Sequence, residues 1–258
     1  MTAMRALSAG ELLAAWERGL AQAPAQRALT LLGAACPDTP VEALATLCIG
    51  QRDAYLITLR EWCFGSQLVS VANCAGCGER LELTLDLDQV RVQSPTPAGP
   101  LAAEGQEAGE AFSLSVDGYE VHFRLPNSLD LAAVDGQRNV ESSRQRLLER
   151  CILDAKCEGK DTPADQLPAP VTEAVVAGMA QADPQADVQL DLRCPACEHR
   201  WQAAFDIASF FWSEINAWAY RTLHEVHLLA SAYGWREADI LALSPRRRQS
   251  YLEMIGRP

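Results

Sequence analysis

Two pairs of cysteines have the spacing of metal ligands. Cys74 and Cys77 form one C-x-x-C motif, and Cys194 and Cys197 form another well over a hundred residues later. Thiolate sulfur is a preferred ligand of Zn²⁺, and four thiolates complete the tetrahedral coordination of a closed structural site. The spacing therefore predicts one structural zinc ion shared by the two motifs. Because a closed site has no open coordination position, the metal is expected to stabilise the fold without taking part in catalysis.

The residues on both sides of each motif alternate between apolar and polar side chains. Residues 67–73 and 80–87 flank the first motif, and residues 187–193 and 200–205 flank the second in the same way. This pattern predicts two β-hairpins whose turns, here called the zinc knuckles, carry the cysteines. Loop-closure entropy grows slowly with length, so a long insertion between the two halves of one site is tolerable.

One position distinguishes the second knuckle from the first. Gly78 follows Cys77, whereas Glu198 follows Cys197. Glycine adopts a left-handed backbone conformation at no steric cost, but a residue with a side chain does not. We therefore expect Glu198 to have a less favourable turn geometry or to use a different turn.

Histidines offer two alternative sets of ligands. His199 lies two residues beyond Cys197 and could replace a cysteine, although a solvated turn residue is the commoner role. His224 and His227 lie three residues apart on a predicted helix and could face one metal ion. No third ligand is evident near this pair, so an ordinary structural role is favoured for both.

The composition restricts the class of protein. The chain has 258 residues, is 48% hydrophobic and has a formal net charge of −12. Nucleic-acid affinity comes largely from Lys and Arg that neutralise phosphates, so this charge argues against nucleic acid as a partner. No apolar run has the length of a membrane span and the first residues lack the pattern of a signal peptide, which predicts a cytoplasmic protein without membrane insertion of its own.

The arrangement of the predicted elements indicates an α+β protein. It is mainly helical, with a split four-cysteine zinc ribbon made of two β-hairpin knuckles and one additional β-hairpin. Asp117-Gly118 marks the turn of the additional hairpin, and residues 138–155 are predicted to be helical. The predicted segments are an N-terminal helical region at 1–65, the first knuckle hairpin at 66–91, a linker at 92–110, an inserted hairpin with helices at 111–186, the second knuckle hairpin at 187–205 and a C-terminal helical region at 206–258.

Longer stretches of the chain resemble a known group of proteins. These stretches are IGQRDAYLITLREWCFG at 49–65, VHFRLPNSLDL at 121–131 and LHEVHLLASAYGWREADILALSPRRRQSYLEMI at 223–255. Together with the two knuckles, they resemble the baseplate hub and hub-assembly family of contractile-tail phages and phage-tail-like contractile injection systems. The resemblance implies a non-enzymatic protein that is a permanent part of the baseplate or an assembly factor that leaves it. It also implies other baseplate, hub or tube proteins as partners.

Two further functions stay open at this point. Zinc ribbons often serve in nucleic-acid binding or transcription, although the net charge of −12 counts against this class. A thiol redox protein is the other alternative, but its dithiol typically begins a helix after a parallel strand, and neither C-x-x-C motif has that setting. The sequence contains no G-x-S-x-G, P-loop, H-E-x-x-H or glycine-rich dinucleotide motif, so we predict that the chain is not an enzyme.

Overall fold

The computed structural model describes residues 4–92, 111–136 and 139–255. The predicted linker at 92–110 therefore lies, apart from Val92, outside the described residues. The chain begins with the helices α1 (Ala9–Gly19), α2 (Pro24–Ala35), α3 (Val41–Ala45) and α4 (Ile49–Phe64). Ser8 and Glu11 form a reciprocal capping box at the start of α1. Pro24 suits the first turn of α2, where no N–H partner is needed.

The first hairpin follows α4 directly. Strand β1 (Gln67–Asn73) pairs antiparallel with β2 (Arg80–Asp86), with Asn73 opposite Arg80 at the turn. Leu68 and Leu81 are buried, whereas the neighbouring positions on each strand are exposed. This alternation is the one expected of strands with a single buried face.

The inserted segment forms a four-stranded antiparallel sheet in the order β3-β4-β5-β6. Its elements are β3 (Ala111–Val116), β4 (Tyr119–Arg124), α5 (Ser128–Val134), α6 (Val140–Cys151), β5 (Ile152–Cys157), β6 (Lys160–Asp161) and α7 (Ala169–Ala182). The predicted turn between β3 and β4 is present, with φ of +50° at Asp117 and +78° at Gly118.

The helix predicted over 138–155 is wrong beyond Cys151. Residues Ile152–Cys157 form β5 and pair with β4, which places Ala155 opposite Val121 in the buried face of the sheet. A strand that packs well against its neighbours overrides local helical periodicity, because β propensity depends largely on such packing. The additional hairpin β3–β4 is thus the beginning of a larger sheet.

The last part of the chain contains the second hairpin and three helices. Its elements are β7 (Val188–Arg193), β8 (Arg200–Phe205), α8 (Ile207–Tyr233), α9 (Glu237–Ala242) and α10 (Pro245–Ile255). Asp206 caps α8 by accepting a hydrogen bond from the N–H of Ala208 at 2.9 Å. Gly234 ends α8 in a left-handed conformation with φ of +67°.

The largest hydrophobic core joins both ends of the chain. Helices α1, α2, α4 and α8 contribute most of it, with Leu32, Leu56 and Phe211 almost fully buried. The bases of the two hairpins enter the same core through Leu68 and Val188. A separate core lies between the four-stranded sheet and α7. The fold is therefore α+β and mainly helical, as predicted, and it carries the two cysteine turns on hairpins rooted in one core.

Candidate metal centre

Backbone hydrogen bonds hold the first knuckle at the tip of the β1–β2 hairpin. The N–H of Cys74 donates to the carbonyl of Glu79 at 2.8 Å, and the N–H of Gly78 donates to the carbonyl of Cys74 at 2.8 Å. Gly78 has a φ of +76°, which glycine accepts without steric penalty. The N–H of Gly76 also donates to the Cys74 sulfur at 3.3 Å. These contacts fix the conformation of the turn that presents the first two sulfurs.

The second knuckle repeats this turn at the tip of the β7–β8 hairpin. The N–H of Cys194 donates to the carbonyl of His199 at 2.9 Å, and the N–H of Glu198 donates to the carbonyl of Cys194 at 2.9 Å. Glu198 has a φ of +61°, so the less favourable turn geometry predicted for this residue is confirmed. Arg193 holds the Glu198 carboxylate at 2.7 Å in an exposed ion pair.

The two knuckles face each other and bring four sulfur atoms together. All four lie within 4.8 Å of one another. The thiols of Cys74 and Cys197 are 3.6 Å apart, and those of Cys77 and Cys194 are 3.7 Å apart. Cys74 and Cys194 are buried, whereas Cys77 and Cys197 are exposed. The structure thus brings together the four cysteines that the sequence pairs over a long insertion.

The separations between the sulfurs fit a tetrahedral metal ion. With Zn–S bonds of about 2.3 Å, two sulfurs of a regular tetrahedral site lie about 3.8 Å apart. The contacts at 3.6 and 3.7 Å are close to this value. The donor set also suits a soft or borderline divalent cation, because all four ligand atoms are sulfur.

The thiols of Cys74 and Cys77 do not ionise together. Burial opposes ionisation of Cys74, but hydrogen bonds from the N–H groups of Cys77 and Gly76 and from the sulfurs of the second hairpin lower the pKa of Cys74 to about 7. The backbone at Glu79 favours the Cys77 thiolate, yet contacts with Cys197 and the other sulfurs raise the pKa of Cys77 to about 12. One negative charge placed in the cluster thus disfavours the next, and a divalent cation would relieve this repulsion.

A small apolar group supports the sulfurs from beneath. The buried sulfurs pack with Leu81, Leu83 and Trp201 from the two hairpins. The imidazole of His199 stacks on the Trp201 ring at a centroid distance of 5.8 Å. A Cβ atom added to Gly76 would lie 3.1 Å from Cβ and Cγ of His199, so this side chain covers the first knuckle closely. His199 therefore lies at the contact between the two knuckles.

The histidines considered as alternative ligands lie outside the cysteine cluster. Within residues 4–92, 111–136 and 139–255, the four cysteines form the only group of three or more His, Cys, Asp or Glu side chains that could share a metal ion. His199 is outside this group, and His224 and His227 are exposed on α8. Their assignment to ordinary structural roles agrees with this arrangement.

A buried arginine that the sequence interpretation missed connects the first hairpin to α8. Arg60 on α4 is 2% exposed, and its guanidinium donates to both carboxylate oxygens of Glu214 at 2.7 and 2.8 Å. It also donates to the carbonyls of Gly65 and Gln67 at 2.5 and 2.6 Å. A buried ion pair is tolerable when its remaining donors are satisfied in this way. The signal in the sequence was an arginine on the apolar face of a predicted helix.

A second missed contact closes the base of the split ribbon. The side-chain amide of Gln185 donates to the carbonyl of Val90 at 3.1 Å and accepts from the N–H of Val92 at 2.8 Å. Val90 and Val92 follow the first hairpin, and Gln185 precedes the second. Close by in the chain, Asp183 accepts from the N–H of Gly50 at the start of α4 at 2.8 Å. The chain that leaves one hairpin is thus bound to the chain that enters the other.

A comparison of the chain with models of protein families gives one match. Residues 11–212 match the family model described as T4 bacteriophage base plate protein. The chain belongs to this family. The match covers most of the chain and includes both knuckles and the whole segment between them. No curated protein and no solved structure matches the chain.

The family match covers some of the stretches on which the resemblance to hub and hub-assembly proteins was based, but not all of them. The stretches at 49–65 and 121–131 lie within the matched residues of this base plate family, whereas the stretch at 223–255 follows them. Of the helices in the described part of the chain, none has both the length and the apolar character required to cross a bilayer. The family match shows that this is a phage base plate protein, and it does not distinguish the hub from other base plate components.

Proposed function

We propose that this chain is a non-enzymatic structural or assembly protein of the baseplate of a contractile phage tail or phage-tail-like injection system, stabilised by a structural zinc ion. The match of residues 11–212 to the base plate family carries the proposal. The resemblance of the stretches at 49–65, 121–131 and 223–255 supports a finer placement at the hub or in its assembly.

The proposed zinc ligands are Cys74, Cys77, Cys194 and Cys197. Their sulfurs lie within 4.8 Å of one another, and the two thiol contacts between the hairpins fit a tetrahedral site. Four protein ligands leave no open position for water or substrate. The chemistry that the ion supplies is therefore structural cross-linking of the hairpins.

The position of the site explains what such a cross-link would do. Cys77 and Cys194 are 117 residues apart in the chain, and the inserted sheet lies between them. The hairpins share a core at their bases, where Leu68 and Val188 are buried. A metal at the tips would fix the second point of contact. Two fixed points determine both the spacing and the relative orientation of the hairpins.

The proposed partners are other baseplate, hub or tube proteins, met in the cytoplasm or within the assembled particle. The described surface includes large aromatic side chains, with Trp62 46% exposed and Tyr220 61% exposed. Tryptophan and tyrosine are enriched among the residues that dominate protein interfaces. These side chains are therefore suitable anchors for a protein partner.

The alternative functions have less support from the molecule. Nucleic-acid binding conflicts with a net charge of −12, because phosphate contacts require Lys and Arg. A thiol redox protein would present its C-x-x-C at the start of a helix, whereas both motifs here lie on turns of antiparallel hairpins. Neither alternative accounts for the match to the base plate family.

Elemental analysis of the purified protein tests the metal. We expect about one zinc ion per chain, and we expect a zinc chelator to lower the melting temperature, because binding to the folded state alone stabilises it. A chain without metal, whose four thiols react freely with alkylating reagents in the folded state, would contradict the zinc site. The control is Cys157→Ser, which removes a half-buried thiol outside the cluster and leaves the zinc content unchanged.

Affinity purification from the native host tests the assembly role. We expect tail or baseplate proteins to co-purify in an amount that resists nuclease treatment and moderate salt. Recovery of polymerase or nucleic acid in their place would favour the zinc-ribbon alternative. The partner test is independent of the metal test, since it measures association with other proteins and not metal content.

A further inference from the structure

The four thiols of the cluster differ in exposure in a regular way. Cys74 and Cys194 are 3% and 0% exposed, whereas Cys77 and Cys197 are exposed at the surface. Two pairs of thiols are in hydrogen-bonding contact, Cys74 with Cys197 and Cys77 with Cys194. Each contact therefore joins an accessible sulfur of one hairpin to a shielded sulfur of the other.

The two thiol contacts in hydrogen-bonding range run between the hairpins. A disulfide has an S–S distance of about 2.05 Å, so the pairs at 3.6 and 3.7 Å would have to close by about 1.6 Å. This requires a small approach of two hairpin tips that already share a core. A bond within one knuckle would draw each sulfur away from its present contact while the turn is held by the N–H of Gly78 or Glu198.

We propose that the cluster is a site of oxidative cross-linking, at which a peroxide joins Cys74 to Cys197 and Cys77 to Cys194. The proposal rests on the metal site proposed above, because each disulfide removes two of the four zinc ligands and releases the ion. Peroxide reaches the cluster at the exposed sulfurs of Cys77 and Cys197, and within each pair the sulfur that is oxidised first is resolved by the other.

The chemistry balances with hydrogen peroxide as the oxidant. One sulfur of the Cys74–Cys197 pair attacks one peroxide oxygen, the O–O bond breaks, and a sulfenic acid and one water form. The thiol of the other cysteine then attacks the sulfenic sulfur, the S–O bond breaks, and the hydroxyl leaves as a second water with the thiol proton. Each disulfide formed from two thiols consumes one peroxide and releases two waters. Where the two sulfurs start as metal-bound thiolates, the two protons in these waters come from solvent. Cys77 and Cys194 react in the same way.

The oxidised state would keep the connection that the metal makes. Cys74 and Cys197 are 123 residues apart, and a bond between them ties the same two ends of the inserted segment. Disulfides persist in oxidising environments and are rare in reducing ones. The hairpins would thus stay joined after a particle moves from a reducing to an oxidising environment.

Peptide mapping of the oxidised full-length protein tests the proposal. Trypsin cleaves after Arg60, Arg80, Arg193 and Arg200, so residues 61–80 carry Cys74 and Cys77 together with Cys63, which lies outside the cluster, while residues 194–200 carry the second pair. After hydrogen peroxide treatment and without reduction, we expect these two peptides to be joined. We also expect release of about one zinc ion per chain, measured with a chromogenic chelator.

Variants and a metal-free sample separate the possible outcomes. With Cys197→Ser, fragmentation of the joined peptides should show Cys77 bonded to Cys194 and Cys74 unbonded, whereas Cys157→Ser should give the wild-type map. Two separate peptides, each with an internal disulfide, or sulfinic acids at the exposed cysteines would overturn the cross-link. If zinc is bound and such internal bonds form, only this proposal fails. If the protein holds no zinc, the proposed metal site fails, and the map of the metal-free protein still decides the cross-link.

Discussion

The two knuckles reach the same geometry with different residues. In both, the N–H of the residue after the second cysteine donates to the carbonyl of the first cysteine, at 2.8 Å in the first knuckle and 2.9 Å in the second. That residue is Gly78 in the first knuckle and Glu198 in the second, with φ of +76° and +61°. The third residue of the motif also differs, being Gly76 in one and Ala196 in the other.

The difference shows where each turn obtains its conformation. In the first turn the left-handed position is occupied by Gly78 and is available from local preference alone, since glycine accepts that region freely. The second turn places a glutamate in that region against its local preference. Its conformation therefore depends more on contacts with the rest of the molecule, and a shared metal ion would be the strongest of these.

Removal of one sulfur should have the largest effect on this pair of turns. We expect Cys194→Ala to lower stability by several kcal/mol, because the roughly 10–16 kcal/mol of structural zinc binding is coupled to folding. Cys151 is equally buried but lies outside the cluster, so Cys151→Ala is the matched control. Its cost should be about 1–2 kcal/mol, typical of a small core truncation. Thermal melting with and without a chelator measures both.

Two results would contradict this expectation. One is a melting temperature that falls equally in Cys194→Ala and Cys151→Ala. The other is a wild-type melt that the chelator leaves unchanged. If Cys74→Ala and Cys194→Ala differ strongly, the hairpins contribute unequally to the site.

Acid should weaken zinc binding steeply, because a thiol must lose its proton before it binds zinc. Zn²⁺ binds thiolates, so it must displace every proton that the ligands still carry. The pKa of Cys77 is raised to about 12 and that of Cys197 is also raised, whereas the pKa of Cys74 is lowered to about 7. Zinc affinity should therefore fall at least about 100-fold per pH unit between pH 9 and 7, and more steeply below pH 7, where Cys74 is also protonated.

Competition with a chelator of known pH dependence measures this slope. Calorimetry in buffers of different ionisation enthalpy counts the released protons directly. Release of fewer than two protons at pH 8 would contradict the raised pKa values of Cys77 and Cys197.

The contact between the knuckles can be tested at Gly76. A Cβ atom there would lie 3.1 Å from Cβ and Cγ of His199, so Gly76→Ala should cost about 1 kcal/mol through overpacking. In a His199→Ala background, which removes the Cγ contact and leaves the Cβ contact, this cost should fall to about half, which a double-mutant cycle of unfolding free energies detects. Ala196→Gly provides the comparison at the same position of the second knuckle. An undiminished cost of Gly76→Ala without His199 would place its cause elsewhere.

Local sequence patterns were enough to predict the site, whereas the contacts between residues distant in the chain were not predicted. The C-x-x-C spacing and alternating flanks predicted both hairpins, and ligand chemistry predicted that the four cysteines meet. Arg60 and Gln185 were missed because their partners, such as Glu214 and Val90, are distant in the chain and leave no local pattern. The strand at Ile152–Cys157 was missed for the same reason, since its partner strand β4 lies about 30 residues earlier.

Replacement of Glu198 should change the stability least among the substitutions proposed for the two knuckles. Glu198→Gly removes the left-handed strain of a side-chain residue, which is about 1–2 kcal/mol. Part of this gain is offset because glycine makes the unfolded chain more flexible, by about 0.4–1 kcal/mol. The exposed ion pair with Arg193 is also lost, but such pairs contribute little. We therefore expect a net gain of about 0.5–1 kcal/mol in the free energy of unfolding.

Two further variants separate the effect of backbone strain from the effect of the ion pair. Arg193→Ala removes the ion pair without changing the turn, so it should leave stability within about 0.5 kcal/mol of the wild type. Gly78→Ala imposes on the first knuckle the strain that the second already has, and it should destabilise by about 1–2 kcal/mol. If Glu198→Gly destabilised the protein as much as Gly78→Ala does, the glutamate side chain would be needed for a contact beyond the turn. Urea denaturation of all three variants makes this distinction. The zinc concentration must be the same in each experiment, because metal bound to the folded state adds a stabilisation that depends on its concentration.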